Sequence, residues 1–354
     1  MKLKEHLRGR SSDELHTRPT LRTISELTGF AVQTVSRALG GAPDISDSTK
    51  ATIRKVASEI GYVPNRAGVR LRTGKTNVIA LVLSAENDVL SLTSRLISSI
   101  AKGLRGSSYN LVVMSSFTED NPLDTVRNIV RNETADAVIL NQIKPRDERV
   151  RYLMDEGFPF VTHGRTIWSE RHAYYDYDNK EFGILAANQL HRKERKHILL
   201  IAPPTDQTYA IEMISGVKEA CSFNGQHLEI VSKITSDSNR EVIRAFTEQR
   251  FTEGTKPDGV ISASPNATMA AISGIEDAGL ALGETLDVFS KETVPILDLF
   301  RPNILKTRED VATAGQFLAE AAIQVADKDD KPPMQALEIT ETYESSADVN
   351  AISD

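Results

Sequence analysis

The chain has 354 residues, of which 40% are hydrophobic and 26% charged, enough for two or three domains with sizeable cores. No apolar run approaches the ~18 residues of a membrane span, and the stretch Met1–Arg18 lacks the apolar centre of a secretory leader. The single cysteine, Cys221, excludes an internal disulfide framework and suits the cytoplasm, and seven scattered His show no zinc-ligand spacing, so neither metal nor cofactor is expected.

The net charge of −7 conceals an asymmetry. Residues 1–76 hold 14 Lys+Arg against 7 Asp+Glu, whereas the other 278 residues are net −14. A basic head on an acidic body implies that the head alone meets a polyanion. Charge by itself does not separate DNA from RNA or a membrane surface.

Residues 1–19 form a polar extension whose Lys2, Lys4, Arg8 and Arg10 offer unspecific attraction to phosphate, or simply a solvated tail. The segment 20–39 then reads as two short helices around a turn. Leu21, Ile24 and Leu27 recur at helical spacing, and Gly29 stands where the chain must turn sharply. In the second helix Val35, Ala38 and Leu39 face inward, leaving Gln33, Thr34, Ser36 and Arg37 outside. This is the pattern of a helix-turn-helix, which places its second helix in the DNA major groove. A small helical hairpin within a larger core has the same local pattern.

A loop at Gly40, Gly41 and Pro43 precedes a third helix, capped by Ser46 or Asp47, with an apolar stripe of Ile53, Val56, Ala57 and Ile60 ending at Gly61. The DNA-binding domain therefore spans 20–63. Residues 64–76 begin with Pro64-Asn65 and contain Gly68, too short and too flexible to hold a helix alone in water. With Arg66, Arg70 and Arg72 alongside, the segment is suited to ordering against DNA; an ordinary basic linker shares that composition.

Residues 20–76 resemble the DNA-binding headpiece of the LacI/GalR family of bacterial transcriptional regulators. The resemblance rests on Gln33-Thr34-Val35-Ser36-Arg37, on Gly61-Tyr62-Val63-Pro64-Asn65 and on Leu71, in family order and spacing. It implies that Val32 and Gln33 occupy the two base-reading positions and Arg37 a further base-contacting one. Thr34 and Ser36 would contact phosphate or support the helix, with Thr20 completing the DNA-facing set. Asn65–Leu71 matches the hinge helix, including Arg66, and Leu71 matches the leucine wedged into the minor groove, where it unstacks a base step and bends the duplex. Two departures stand out. Ala31 replaces the usual capping Ser or Thr of the recognition helix, and Gly68 replaces the usual hinge alanine.

From residue 77 the texture becomes alternating strands and helices. Apolar strand-like runs occur at Val78–Leu83, Leu111–Met114, Ala137–Leu140, Ile198–Ala202, Gly259–Ser262 and Leu286–Phe289, with a shorter one at Phe158–Val161. Amphipathic helical stretches lie between them, as in buried doubly wound parallel sheets. No dinucleotide or P-loop motif, nucleophile elbow or paired carboxylate follows any strand, which argues against an enzyme. The resemblance extends here to the sugar-binding core of the same family, similar to periplasmic binding proteins. It implies an α/β core over 77–340 of two subdomains joined by three crossovers, the first at 77–177 and 306–330, the second at 178–305. A small effector would bind between them.

The loops expected to meet that effector are Ala85–Asp88, His163–Thr166 and the tyrosine-rich run His172–Asn179. Asn87, Asp88, Arg165, Tyr177, Asp178 and Ser264 are the candidate effector-binding residues. Arg165 and Asp178 match family positions, although Arg165 in a cleft salt bridge and the tyrosines as plain packing are alternatives. Ser264-Pro265 stands where the family commonly has Asn-Asp, Ser290-Lys291 where it has Asp-Asp, and Met213 where an effector-binding arginine is frequent. These residues suggest a saccharide or sugar alcohol. Leu337–Thr340 reads as a last edge strand, and residues 341–354 as a tail without leucine heptads, so a homodimer on a roughly palindromic double-stranded operator is expected. The resulting reading is a repressor of sugar uptake or catabolism genes. A co-repressor-dependent regulator or activator fits the same scaffold, while a solute-binding protein lacks a reason for the basic head.

Overall fold

The computed structural model describes residues 19–63, 68, 70, 73–84, 90–116 and 121–340. Of the expected site residues, Asn65, Arg66, Leu71, Asn87 and Asp88 lie outside the described residues. The chain divides into two compact units, Met1–Thr76 and Asn77–Asp354.

Among its described residues the first unit forms the helices α1 Leu21–Thr28, α2 Val32–Leu39 and α3 Asp47–Glu59. Their starts follow from capping chemistry. Thr20 closes a capping box with Thr23, and the Ser46 side chain accepts the Thr49 amide. Helix α1 ends at Gly29, whose φ of 76° is a left-handed conformation that glycine alone adopts without steric cost. The apolar faces converge on Ile24, Val35, Ala38, Ile53 and Ala57, with Leu21, Phe30, Leu39, Val56 and Ile60 packed around them. That is a small core, as expected for a headpiece of this size.

The second unit contains two all-parallel sheets. The first comprises β1 Val78–Ser84, β2 Asn110–Ser116, β3 Ala137–Leu140, β4 Phe160–His163, β5 Ala173–Tyr177 and β11 Gln335–Glu338, in the order β11-β5-β4-β3-β1-β2. The second comprises β6 His197–Ile201, β7 His227–Ile230, β8 Gly259–Ser262, β9 Asp287–Glu292 and β10 Leu305–Arg308, in the order β10-β9-β8-β6-β7. Helices α4 Leu90–Gly103, α5 Pro122–Arg131, α6 Glu148–Asp155 and α12 Val311–Ala326 accompany the first sheet. Helices α7 Asn179–Arg192, α8 Thr208–Asn224, α9 Arg240–Thr252, α10 Pro265–Asp277 and the short α11 Leu297–Phe300 accompany the second.

Both faces of each sheet are covered, which explains the unbroken apolar runs. In β1, Ile79 and Leu81 pack against α4 and α12, while Ala80 and Val82 pack against α5 and α6. Likewise Ile198 and Leu200 of β6 meet α7 and α8, and Leu199 and Ile201 meet α9 and α10.

Three features differ from the sequence expectation. The tyrosine-rich run is not a loop, because Ala173–Tyr177 is a strand with Tyr175 packed into the first core. Strand β10 stays with the second sheet to Arg308, and β11 pairs with β5, so the first subdomain continues past 330 to Glu338. Finally, the described residues contain two crossings between the sheets, between β5 and α7 and between β10 and α12, where three were expected.

Candidate functional site

On the headpiece, Val32, Gln33 and Arg37 are exposed on α2, while Val35 and Ala38 anchor its opposite face. Thr34 and Ser36 are half-buried. Helix α2 begins without a side-chain cap, since Ala31 contributes no hydrogen bond. Arg37 pairs with Asp44 in the loop that follows, and Thr20 is exposed but already engaged with Thr23.

The core carries a cavity of about 130 Å³ at the carboxyl ends of both sheets. Asn141 after β3, His163 of β4 and Tyr177 of β5 approach from the first subdomain. Thr208, Asp237, Ser264 and Lys291 approach from the second. This is where open α/β sheets bind ligands, because the loops leaving the strands diverge there. The cavity floor is a buried charged group. Lys291 Nζ lies 2.8 Å from Glu309 and donates to Asn179 Oδ1 at 3.0 Å, with the Tyr177 ring 4.9 Å away. Burial works to raise the Glu309 pKa, but Lys291 and His163 outweigh it and hold the carboxylate below its ordinary value. Burial holds the His163 pKa down, with Glu309 and Asp176 only partly opposing.

Beside the cavity, Arg165 bridges the subdomains. Its Nε donates to Asp176 of β5 at 2.8 Å, and its terminal nitrogen donates to both carboxylate oxygens of Glu212 on α8 at 2.9 Å. Burial, then the neighbouring Asp176, pushes the Glu212 carboxyl up to about 7, an effect Arg165 only partly offsets. Burial likewise raises Asp176. The structure therefore brings Tyr177 and Ser264 to the cavity wall. Arg165 is not part of the lining and makes the cleft salt bridge instead, and Asp178 caps α7 by accepting the Glu181 amide.

A model described as bacterial regulatory proteins, lacI family, matches residues 20–65, and one described as a periplasmic binding protein domain matches residues 108–290, just over half the chain. The HTH-type transcriptional regulator AglR of Rhizobium meliloti (strain 1021) is 29% identical over 313 residues, 86% of each protein. The chain belongs to the LacI family of bacterial regulatory proteins.

Solved structures of LacI-family proteins share its fold. The Lac repressor dimer bound to operator and the anti-inducer ONPF aligns over 93% of this chain and 98% of its own, with a TM-score of 0.78 and 18% identity. The complex of the transcriptional regulator CelR with cellobiose aligns over 92% and 99%, with a TM-score of 0.65 and 22% identity.

Where this LacI-family chain departs from the usual residues, the structure gives the replacements other work. Met213 is fully buried among Phe182, Val217 and Phe289, so helix α8 presents Glu212 toward Arg165 instead. The Ser290 hydroxyl meets Thr268 at 2.6 Å, and the Ser264 side chain accepts the Ala267 amide to cap α10. Several lining residues are absent from the candidate set, among them Thr208, Asp237 and Glu309, whereas His163 lies in the expected loop His163–Thr166 and Lys291 in the Ser290-Lys291 departure. Position at a strand's carboxyl end was the available signal for His163 and Lys291. Nothing local marks Thr208, Asp237 or Glu309.

Proposed function

We propose that this LacI-family transcriptional regulator is a cytoplasmic homodimeric repressor of sugar uptake or catabolism genes, released from its operator by a saccharide or sugar-derived effector in the core cleft. The observation that carries this reading is the pairing, in one chain, of an exposed recognition helix with a cavity, at the carboxyl ends of two parallel sheets, whose lining includes polar and charged side chains. On the headpiece Val32, Gln33 and Arg37 read bases, Thr20, Thr34 and Ser36 serve the phosphate backbone, and Asn65, Arg66 and Leu71 act in the hinge. Arg37 must then exchange its Asp44 partner for DNA on binding. In the core Tyr177 and Ser264 touch the effector. Arg165 acts through the subdomain contact, and Asp178 through the start of α7. Asn87 and Asp88 complete the effector set.

The effector is bound and released unchanged. Its coupling to DNA is reciprocal, so operator must weaken the effector as much as the effector weakens operator. The cellobiose complex of CelR, a protein of the same fold, supports a saccharide as the ligand class. The test is fluorescence anisotropy on a labelled duplex from the gene's own promoter, titrated with a panel of sugars. A saccharide that lowers the affinity supports repression relieved by an inducer. One that raises it turns the reading into a co-repressor scheme, and chemical conversion of the sugar during the titration would overturn the non-enzymatic reading.

A further inference from the structure

We infer that Asp237 is the residue that anchors a ligand hydroxyl in the core cavity, and that it selects an uncharged polyhydroxylated ligand over a sugar phosphate or uronate. This rests on the effector-cleft reading above and specifies its chemistry.

Three carboxylates line the cavity, Asp176, Asp237 and Glu309. Asp176 accepts from Arg165 and from the Tyr177 amide, and Glu309 is held by Lys291. Asp237 differs from both. Its Oδ1 receives the Ser236 hydroxyl at 3.1 Å, but its Oδ2 is buried without a hydrogen-bond partner among the described residues. Four more lining atoms share that condition, namely Thr208 Oγ1, Thr293 Oγ1, His163 Nδ1 and Tyr177 Oη. Buried polar atoms in folded proteins are overwhelmingly paired, so five such atoms in one cavity mark a surface built for something polar. A sugar hydroxyl fits it, because one hydroxyl both donates to a carboxylate oxygen and accepts from a threonine.

The positions from which a carboxylate might have come in this family are otherwise occupied. Ser264 caps α10, Ser290 is tied to Thr268, and Lys291 is directed at Glu309 and Asn179. Asp237, in the loop after β7, supplies the buried acceptor on the second-subdomain side. The same inventory disfavours an anion. The lining holds three carboxylates against two cations, Lys291 held by Glu309 and Arg240 in an exposed pair with Glu241, so an incoming phosphate or carboxylate would meet a net negative wall. Burial raises the Asp237 pKa, and the Ser236 hydroxyl only partly opposes it.

The test uses the purified full chain, thermal shift and calorimetry. The probes are glucose, galactose, maltose, melibiose, sucrose and cellobiose, with glucose 6-phosphate and glucuronate as the anionic arm. The expected result is stabilisation by at least one neutral sugar and none by the anionic pair. Asp237→Asn should weaken the tightest neutral sugar at least tenfold, with unliganded melting temperature and circular dichroism unchanged. If that variant does not fold, Thr293→Ala and Thr208→Val should each weaken the same sugar several-fold. Wild-type affinity in a folded Asp237→Asn, or in both threonine variants, overturns the assignment. Binding of glucose 6-phosphate or glucuronate in place of neutral sugars overturns the ligand class while leaving a cleft effector intact. No binding by any probe overturns the saccharide reading itself, and this inference with it.

Discussion

Arg165 sits between two carboxylates from different subdomains, and its removal should loosen the cleft by a measurable amount. Asp176 is 6% exposed and Glu212 25% exposed at the side chain, with Arg165 itself at 28%. Deleting one partner of a fully buried ion pair costs about 3–5 kcal/mol, and solvent reaching Arg165 reduces this to roughly 1.5–3 kcal/mol for Arg165→Ala. The Glu212 half of the contact crosses between subdomains, so about 1–1.5 kcal/mol of the loss falls on closure of the cleft, close to a tenfold loss of affinity for a ligand enclosed there. The assay is a double-mutant cycle of Arg165→Ala, Glu212→Gln and the pair, read by melting temperature and by calorimetry with a stabilising sugar. Additive losses would refute the clasp. The pH dependence offers an independent check. Glu212 ordinarily titrates near 4.5 and is pushed up to about 7 here, so the folded chain holds a proton that the unfolded chain has released. The stability tied to that proton is complete below pH 4.5 and is lost as pH rises through 7. Relative to Glu212→Gln, the wild type should therefore lose about 1 kcal/mol between roughly pH 5.5 and 8, after discounting for solvent. A constant difference between the two proteins over that range would contradict the assignment.

Three further outcomes are expected. Gly216→Ala should destabilise the core by about 3 kcal/mol or more, measured by urea denaturation, because its Cβ would stand 2.0 Å from the Lys180 carbonyl and force α7 and α8 apart; a change below about 1 kcal/mol would mean that the helices separate cheaply. Ala31→Ser should stabilise the headpiece by about 1 kcal/mol, since Ala31 has φ −58° and ψ 145°, nearly the torsions of Ser46, whose hydroxyl does cap its helix. Hydrogen exchange of the α2 amides is the readout, and unchanged protection would argue against a missing cap. Leu71→Ala should weaken specific duplex binding far more than binding to random duplex, because a minor-groove wedge acts only where the DNA is bent around it; equal losses on both would sink the wedge.

Local chemistry made the headpiece legible. Thr20, Gly29 and Ser46 mark their own helix boundaries, and Ile24, Val35 and Ile53 fall at helical spacing, so no distant partner is needed to identify them. The central strands β1, β3, β6 and β8 were equally legible, because burial on both faces demands an unbroken apolar run. Strand β5 was not. Its Ala-Tyr-Tyr-Asp-Tyr looks like a polar aromatic loop until Tyr175 is packed in the first core and Asp176 is turned to Arg165. The edge strands β7 and β10 carry His227, Glu229, Lys306 and Arg308, and pairing on one side alone leaves no clean pattern.

The amino-acid sequence determined that the chain has a DNA-facing helical head and an α/β core, and it identified the strand ends where a ligand belongs. Only the tertiary structure decided which side chains meet there. Arg165 and Glu212 are 47 residues apart, and Lys291 and Asn179 are 112 apart. Capping and periodicity act over a few residues and leave a trace in any short window. An ion pair or a shared cavity depends on the two sheets and the crossings between them being assembled first, and no local pattern records it.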